Sequence, residues 1–405
     1  MNNKWVVYSL ALAVFLIGTI EYIISGILHI TAADLGITTS AAGTLVTAFA
    51  LAAAIGSPIV IATTIRVDRR KILLMMLSIF ILSSILVYFS PSFEMMLMTR
   101  IIQGLSGGAA TVIAMAVATR LVEERNRGRA IGTILIGLSS SLVLGVPVGT
   151  LLSETLGWRT LFVIVGLLTL IPLLAVFLKV PSIMEKRAIT LGMQLSILKD
   201  KKMVLAVLIT LFYIGGYSAL FTYISPFLQS NAELSAAALS GILLLSGICS
   251  FGGSKIGGVA ADTKGPKFTI YAGLSLQAGT LLLLTWSDGL IYAVIPLIMM
   301  WMVATWMTSP AHQLYVVTLV PHSPDIALSV NTSFIQFGFA IGSGIGGLII
   351  TSSSIDNLGL AGFALALLAL LLAAWLFTYD KKTGHAARNK DNENQSAYAD
   401  SESLR

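Results

Sequence analysis

Charge is scarce in this chain. Only 11% of its 405 residues are Asp, Glu, Lys or Arg, against 56% hydrophobic residues, and the mean hydropathy is +0.89. A soluble domain carries about 25% charged residues. This much apolar surface does not fit a water-soluble fold, so an all-α integral membrane protein is expected. Cysteine is scarcer still. Cys249 stands alone in an apolar run, which excludes an intrachain disulfide framework and a thiolate metal site. The four histidines, His29, His312, His322 and His385, are scattered and do not read as a metal site, and no cofactor is expected. The chain has no H-E-x-x-H, no G-x-x-x-x-G-K-S/T and no clustered nucleophile and base. A membrane enzyme and a self-contained ATP-driven pump are therefore disfavoured. The net charge of +6 could suit nucleic acid, but the charge is confined to loops and fits membrane orientation better.

What the chain has is apolar length. A helix needs about 20 apolar residues to cross the bilayer. Twelve runs qualify: 5–28, 41–64, 72–90, 94–118, 129–152, 158–178, 202–226, 236–260, 268–286, 289–311, 327–351 and 357–378. The first is too long for a signal peptide and lacks an A-x-A-type site. With the N-terminus inside, 23 of the 25 basic residues fall on the inner side, the exceptions being Arg100 and Arg159. The outer loops hold Asp34, Glu154, Glu233, Asp288 and Asp356. This is the positive-inside pattern, and an odd helix count would scramble it. Both termini are therefore expected in the cytoplasm. The longest inner connection, 179–201, divides the spans into a six-helix bundle at 1–178 and another at 202–378. The polar tail, 379–405, is expected to be disordered.

The halves repeat. At an offset of 197 residues, "FLIG" (15–18) falls on "FYIG" (212–215), Gly56 on Gly253, "IRVDRRK" (65–71) on "DTKGPKF" (262–268), and "GVPVG" (145–149) on "GSGIG" (342–346). Two pseudo-symmetric bundles of like orientation are expected. Parallel halves of this kind mark transporters that bind substrate between them near the midplane.

Over residues 5–378 the chain resembles the major facilitator superfamily. The residues that carry this are "GSPIVIATTIRVDRRK" after the second run, its echo "GGSKIGGVAADTKGPK" after the eighth, "RIIQGLSGGAA" opening the fourth, and "LGVPVGTLLSETLGWRTLF" in the fifth. The first loop departs from the family pattern G-x-x-x-D-R-x-G-R-K, with Ile65 where an aspartate is expected; Asp262 keeps it in the second copy. That departure, the G-V-P-V-G-T form and the acid in the first run resemble the drug:proton antiporter branch, in particular arabinose-efflux-type and purine-efflux-type bacterial exporters. "GILHITAADLGIT" and "SPDIALSVNTSFIQFGFAIGSGIGG" also resemble their first and eleventh helices. The resemblance implies residence in the bacterial cytoplasmic membrane, a small-molecule substrate, protons as co-substrate, a lipid surround, no nucleic acid, and a monomer. It also implies a cytoplasmic latch from Gly56, Arg66, Asp68, Arg69 and Arg70, echoed by Asp262 and Gly265 with Lys264 and Lys267; a basic run, Arg66, Arg69, Arg70 and Lys71, that only sets membrane orientation is the alternative. Gly145, Pro147 and Gly149 correspond to a motif associated with exporters.

Glycines at four-residue spacing let helices approach closely, so Gly104, Gly107, Gly108, Gly145 and Gly149 serve packing, gating or both. Pro147 breaks the backbone ladder and permits a kink. Glu21 is the pointed anomaly. A carboxylate inside an apolar span costs roughly 2.5–3.5 kcal/mol on insertion scales and reads first as functional. It lies about 10 Å below the outer end of its run at 1.5 Å per residue, and Arg100 lies about 9 Å down from the same surface. Their repeat counterparts, Ser218 and Leu297, are neutral. A proton site fits this asymmetry; a buried ion pair that fixes helix contacts is the alternative. Burial makes a carboxylate harder to ionise and a nearby guanidinium makes it easier, so moving either group could load or release a proton. Tyr213, Tyr217 and Phe221 fall at i, i+4 and i+8, and Trp301 and Trp306 sit among methionines. These are adaptable apolar surfaces, either a substrate wall or plain packing. Gln103, Asn331 and Gln336 are polar groups expected to face the interior. An exporter exchanging a small molecule for a proton is the leading expectation. A proton-coupled importer and a non-transporting receptor or scaffold are the alternatives. Drug-like compounds, purines or nucleosides, and sugars all stay open as substrate.

Overall fold

The computed structural model describes residues 4–403 apart from 65, 124–125, 185–189, 288–289 and 321–322. Ile65, Asp288 and His322 thus lie outside the described residues, as does the side chain of His385. Twelve described helices are long and apolar enough to cross a membrane. They are α1 (Lys4–Leu35), α2 (Thr39–Thr63), α3 (Arg69–Tyr88) and α4 (Phe93–Arg120), then α5 (Arg127–Leu156), α6 (Trp158–Lys179), α7 (Lys201–Phe221) and α8 (Ala236–Lys264). The last four are α9 (Pro266–Thr285), α10 (Ile291–Leu319), α11 (Pro324–Ser352) and α12 (Leu358–Ser403).

Several boundaries differ from the apolar runs. The first helix outlasts its run by a full turn and more, through "ITAADL", because polar residues do not stop a helix that lacks proline or glycine breaks. The seventh ends at Phe221, and a short helix, Ile224–Asn231, takes over. Pro226 explains the break, since it has no N–H to offer the carbonyl of Thr222. The tail, where disorder was expected, continues α12 to Ser403; no proline interrupts it. In α5 the expected kink takes a specific form. Residues Ser141–Gly145 form a π-turn immediately before Val146 and Pro147. The missing proline N–H loosens the ladder there, and the backbone widens by one residue per turn.

The helix pairings state the pseudo-symmetry. In the first half α1 packs on α5 and α6, α2 on α4, and α3 on α4 and α6; in the second α7 packs on α11 and α12, α8 on α10, and α9 on α10 and α12. Each pairing maps onto its partner six helices later. The halves meet along α2 with α11 and α5 with α8, again exchanged by the repeat.

Small residues close these seams. A Cβ added at Gly104 would lie 2.2 Å from the Phe49 carbonyl oxygen, and one at Gly108 would lie 2.9 Å from Ala53 Cβ. Gly56 faces Leu105 across the same α2–α4 seam, and Gly145 and Gly149 admit Thr19 and Ile23 of α1. Gly104→Ala should therefore cost about 1–3 kcal/mol, seen as a lower melting temperature of the purified protein in detergent. Gly132→Ala, with nothing within 4 Å of its added Cβ, should leave that temperature unchanged or slightly raised.

Candidate functional site

Arg100 is wholly enclosed at 0% exposure. Its guanidinium stitches three helices together through main-chain oxygens. Nε donates to Leu45 O of α2 at 3.2 Å, Nη1 to Ile20 O of α1 at 2.9 Å, and Nη2 to Glu21 O at 3.4 Å. Nη1 also donates to Gln103 Oε1 at 3.0 Å, and the guanidinium lies 4.4 Å from the centre of the Phe49 ring. The two charges do share one depth, as their positions along α1 and α4 suggested. They do not form a side-chain ion pair among the described residues; Arg100 grips the backbone of α1 beside Glu21 instead. The reason is rotation about the helix axis, which depth leaves open: Arg100 meets the side of α1 that exposes carbonyls 20 and 21.

The Glu21 carboxylate turns the other way, toward the second half. Oε1 accepts a hydrogen bond from Gln336 Nε2 of α11 at 3.1 Å. Both side chains are half-buried. This contact joins the two halves at the middle of their helices. The other described cross-half hydrogen bonds all lie toward the end of the bundle away from the N-terminus. They are His29 with Ser225 at 2.6 Å, Ser40 to Gly347 O at 2.8 Å, Thr47 with Ser343 at 2.7 Å, and Ser240 to Pro147 O at 2.8 Å. Gly247 of α8 admits the α5 backbone at Leu142 and Val143, near the middle of α5. The far end is thus bolted shut, and the bolt includes the carbonyl of Pro147.

Beside the carboxylate lies a ring cluster drawn from both halves. Tyr217 stacks on Phe221 at 4.8 Å, with Trp301 at 5.2 Å, Phe339 at 5.8 Å and Trp306 at 6.4 Å. Tyr22 joins it, 6.3 Å from Phe221 and 5.8 Å from Phe339. Of the residues singled out in the sequence, Tyr217, Phe221, Trp301 and Trp306 are therefore brought together in one cluster, which reaches Glu21 through its neighbour Tyr22, and Gln336 meets Glu21 itself. Tyr22 and Phe339 are additions. Both were within reach, one next to the carboxylate and the other one helical turn after Gln336.

Three others lie elsewhere. Gln103 is enclosed within the first half, held by Arg100 and donating to Ser84 Oγ at 3.3 Å, so it serves the Arg100 anchor. Asn331 accepts from Thr210 Oγ1 at 2.7 Å, and that hydroxyl also lies 3.2 Å from His312 Nδ1. Tyr213 sits by this second cluster, its ring 6.0 Å from His312. A cleft of about 670 Å³ between α1 and α5, lined by Tyr8, Phe15 and Arg129 among others, does not reach Glu21. Its one charged wall residue is a surface arginine, so the buried carboxylate marks the better site.

The loop residues close within each half. Asp68 caps α3 through Arg70 N at 3.0 Å and accepts from Ile183 N at 2.9 Å, while Arg69 N donates to Ile183 O at 2.9 Å. Arg70 reaches the carbonyl of Phe177, and Arg66 is exposed. Partial burial opposes ionisation of Asp68, but the N–H groups of Ile183 and Arg70, the Ser182 hydroxyl and nearby Lys71 outweigh it and hold its carboxyl below the usual carboxylate range. In the second half Lys267 pairs with Asp380 at 2.5 Å, and Lys202 joins at 2.6 Å. Asp262 is exposed on the last turn of α8, and Gly265 makes the turn to α9 at φ +86°. The partner of Lys267 is thus Asp380, the repeat counterpart of Ile183, rather than Asp262.

Comparison with known proteins places this architecture. Residues 10–325 match the Major Facilitator Superfamily. The chain is 37% identical over 375 residues to the uncharacterized MFS-type transporter YbcL of Bacillus subtilis (strain 168), covering 92% of this chain and 96% of that one. It is 24% identical to a probable sugar efflux transporter of Helicobacter pylori (strain P12), over 93% of this chain and 96% of that one. Among solved structures it resembles a crystal structure of the nucleoside transporter NupG, with a TM-score of 0.76 at 13% identity, covering 93% of this chain and 100% of that one. Twelve apolar helices in two exchanged halves, with that match across the chain, make this a multi-pass membrane protein that belongs to the Major Facilitator Superfamily of transporters.

Proposed function

We propose that the protein is a proton-coupled antiporter that exports a small organic molecule across the bacterial cytoplasmic membrane by alternating access, as a monomer with both termini cytoplasmic. The observation that carries this is the Glu21–Gln336 hydrogen bond between the halves at the middle of the helices. A titratable carboxylate placed there is made or broken with every change of access, so its proton can be tied to the motion. A carboxylate kept only for packing has no reason to point across the moving interface. Arg100 supports the reading by anchoring the backbone of α1 while leaving the carboxylate free to face Gln336. With the termini cytoplasmic, the bolted end is the outer one, which suits a chain closed to the outside. The helix 5 glycine–proline motif and the efflux relative support outward transport.

The test is flux in membrane vesicles across three substrate classes: drug-like amines, purines and nucleosides, and sugars. Everted vesicles with an acidic lumen should accumulate one class. Uptake into right-side-out vesicles driven by external acid would establish import instead. No flux of any class would favour a receptor or scaffold. Cysteines placed by Asp34→Cys, Glu233→Cys and Asp356→Cys should label from outside in intact cells; labelling only after permeabilisation would overturn the orientation.

A further inference from the structure

Four buried polar atoms around one ring cluster have no hydrogen-bond partner: Tyr217 Oη, Trp301 Nε1, Trp306 Nε1 and Gln336 Oε1. Leaving a buried polar group unpaired costs free energy, and native structures keep few such groups. Trp301 Nε1 is closed off by packing, but Tyr217 Oη, Trp306 Nε1 and Gln336 Oε1 together call for a shared partner. Tyr217 sits at its centre, 1% exposed, and Trp306 lies beside its hydroxyl without hydrogen-bond geometry. Trp301 is sealed beneath Tyr217, so an incoming molecule meets the half-buried Trp306 and Gln336 first.

The inventory of these atoms restricts the ligand. Indole N–H groups only donate, the phenol donates or accepts, and the amide oxygen only accepts. The surrounding surface is ring faces and edges from Tyr22, Phe221 and Phe339. The ionisable groups around this cluster are Glu21, Arg100 and the phenols of Tyr22 and Tyr217. Arg100 is committed to backbone carbonyls and Gln103. An anion would thus meet a carboxylate and no available cation. A sugar would bring more hydroxyls than this wall has polar atoms. A flat ring carrying acceptors and an N–H along its edge matches both the stacking surface and the polar set.

Resting on the reading of the Glu21–Gln336 region as the transport site, we propose that the substrate is an uncharged planar nitrogen heteroaromatic. It accepts hydrogen bonds from Trp306 and Tyr217 and donates one to Gln336 Oε1. Gln336 then holds the substrate with its oxygen and Glu21 with its nitrogen, so one side chain senses both partners of the exchange.

The test is binding to purified, detergent-solubilised protein without any gradient, read by tryptophan fluorescence and by melting temperature. Probes are adenine, uracil and benzimidazole at pH 7.5, with arabinose and adenosine monophosphate as contrasts. At least one heteroaromatic should bind, and neither contrast should. Tyr217→Phe keeps the ring and removes the hydroxyl, so it should weaken that binding about tenfold, the loss of one hydrogen bond, while the melting temperature of the unliganded protein stays level or rises. Trp306→Phe removes the N–H together with part of the ring face, so it should weaken binding at least as much and lower the melting temperature. Silence from all three heteroaromatics, stronger binding of arabinose, or unchanged affinity in both variants would overturn the proposal. Because no proton gradient is involved, binding with failed proton exchange would remove the antiport reading and leave this one standing.

Discussion

Glu21→Gln is expected to abolish substrate accumulation driven by a pH gradient while sparing folding and passive substrate exchange. The substitution keeps the carbonyl oxygen that accepts from Gln336 Nε2 and removes only the ability to titrate. For one proton exchanged per cycle, a gradient of one pH unit supplies about 1.4 kcal/mol, or roughly tenfold accumulation. In proteoliposomes the variant should fall to a ratio of about one, because a driving force that no group can accept does no work. Substrate counterflow, which needs the change of access but no net proton movement, should persist. Proton movement on adding substrate is the direct reading. Wild-type proton exchange in the variant would show that the carboxylate is structural and that the coupling lies elsewhere.

How much of this was open to inspection in the sequence depends on which coordinate a residue's position fixes. Depth is legible, because each residue adds a known rise to a helix. That is why Glu21 and Arg100 were placed on one level, and why the repeat could show their neutral counterparts. Rotation about the helix axis is far less legible. The stripe Tyr213, Tyr217, Phe221 looks like one face, yet each step of four residues drifts by about 40°. Over two steps the ends part, and Tyr213 finds His312 while Phe221 finds Tyr22. The same freedom turns Arg100 onto carbonyls and Glu21 onto Gln336. Contacts far apart in the chain were out of reach altogether. Nothing in the tail announces that Asp380 will collect Lys202 and Lys267, although the repeat maps it onto Ile183, which holds the matching loop in the first half. Proline chemistry was a local signal only in part: Pro147 foretold the disturbance in α5 and Pro226 accounts for the end of α7, whereas Pro58, Pro296 and Pro310 lie inside unbroken helices.

Arg100→Ala should be the most damaging single change to the fold. It removes donors to Leu45, Ile20, Glu21 and Gln103, empties a site at 0% exposure, and takes the guanidinium off the Phe49 ring. Each buried acceptor left without its donor costs about 1–3 kcal/mol, so the loss of several together is enough to reduce the yield of folded protein sharply. Arg100→Lys keeps the charge but offers one ammonium in place of a fork that spans four acceptors, so partial stability and slowed transport are expected. The double variant Arg100→Ala with Glu21→Gln separates two accounts of the loss. Were the Coulomb attraction dominant, neutralising the carboxylate would restore most of the stability. The geometry favours the other account, because the guanidinium bonds α1 through its backbone. The rescue should therefore stay below about 1 kcal/mol, the range of a weak pairwise coupling. Thermal melts of the four proteins in one detergent complete the cycle. Full rescue would mean that Arg100 is there for the charge of Glu21, and that the anchoring of α1 is secondary.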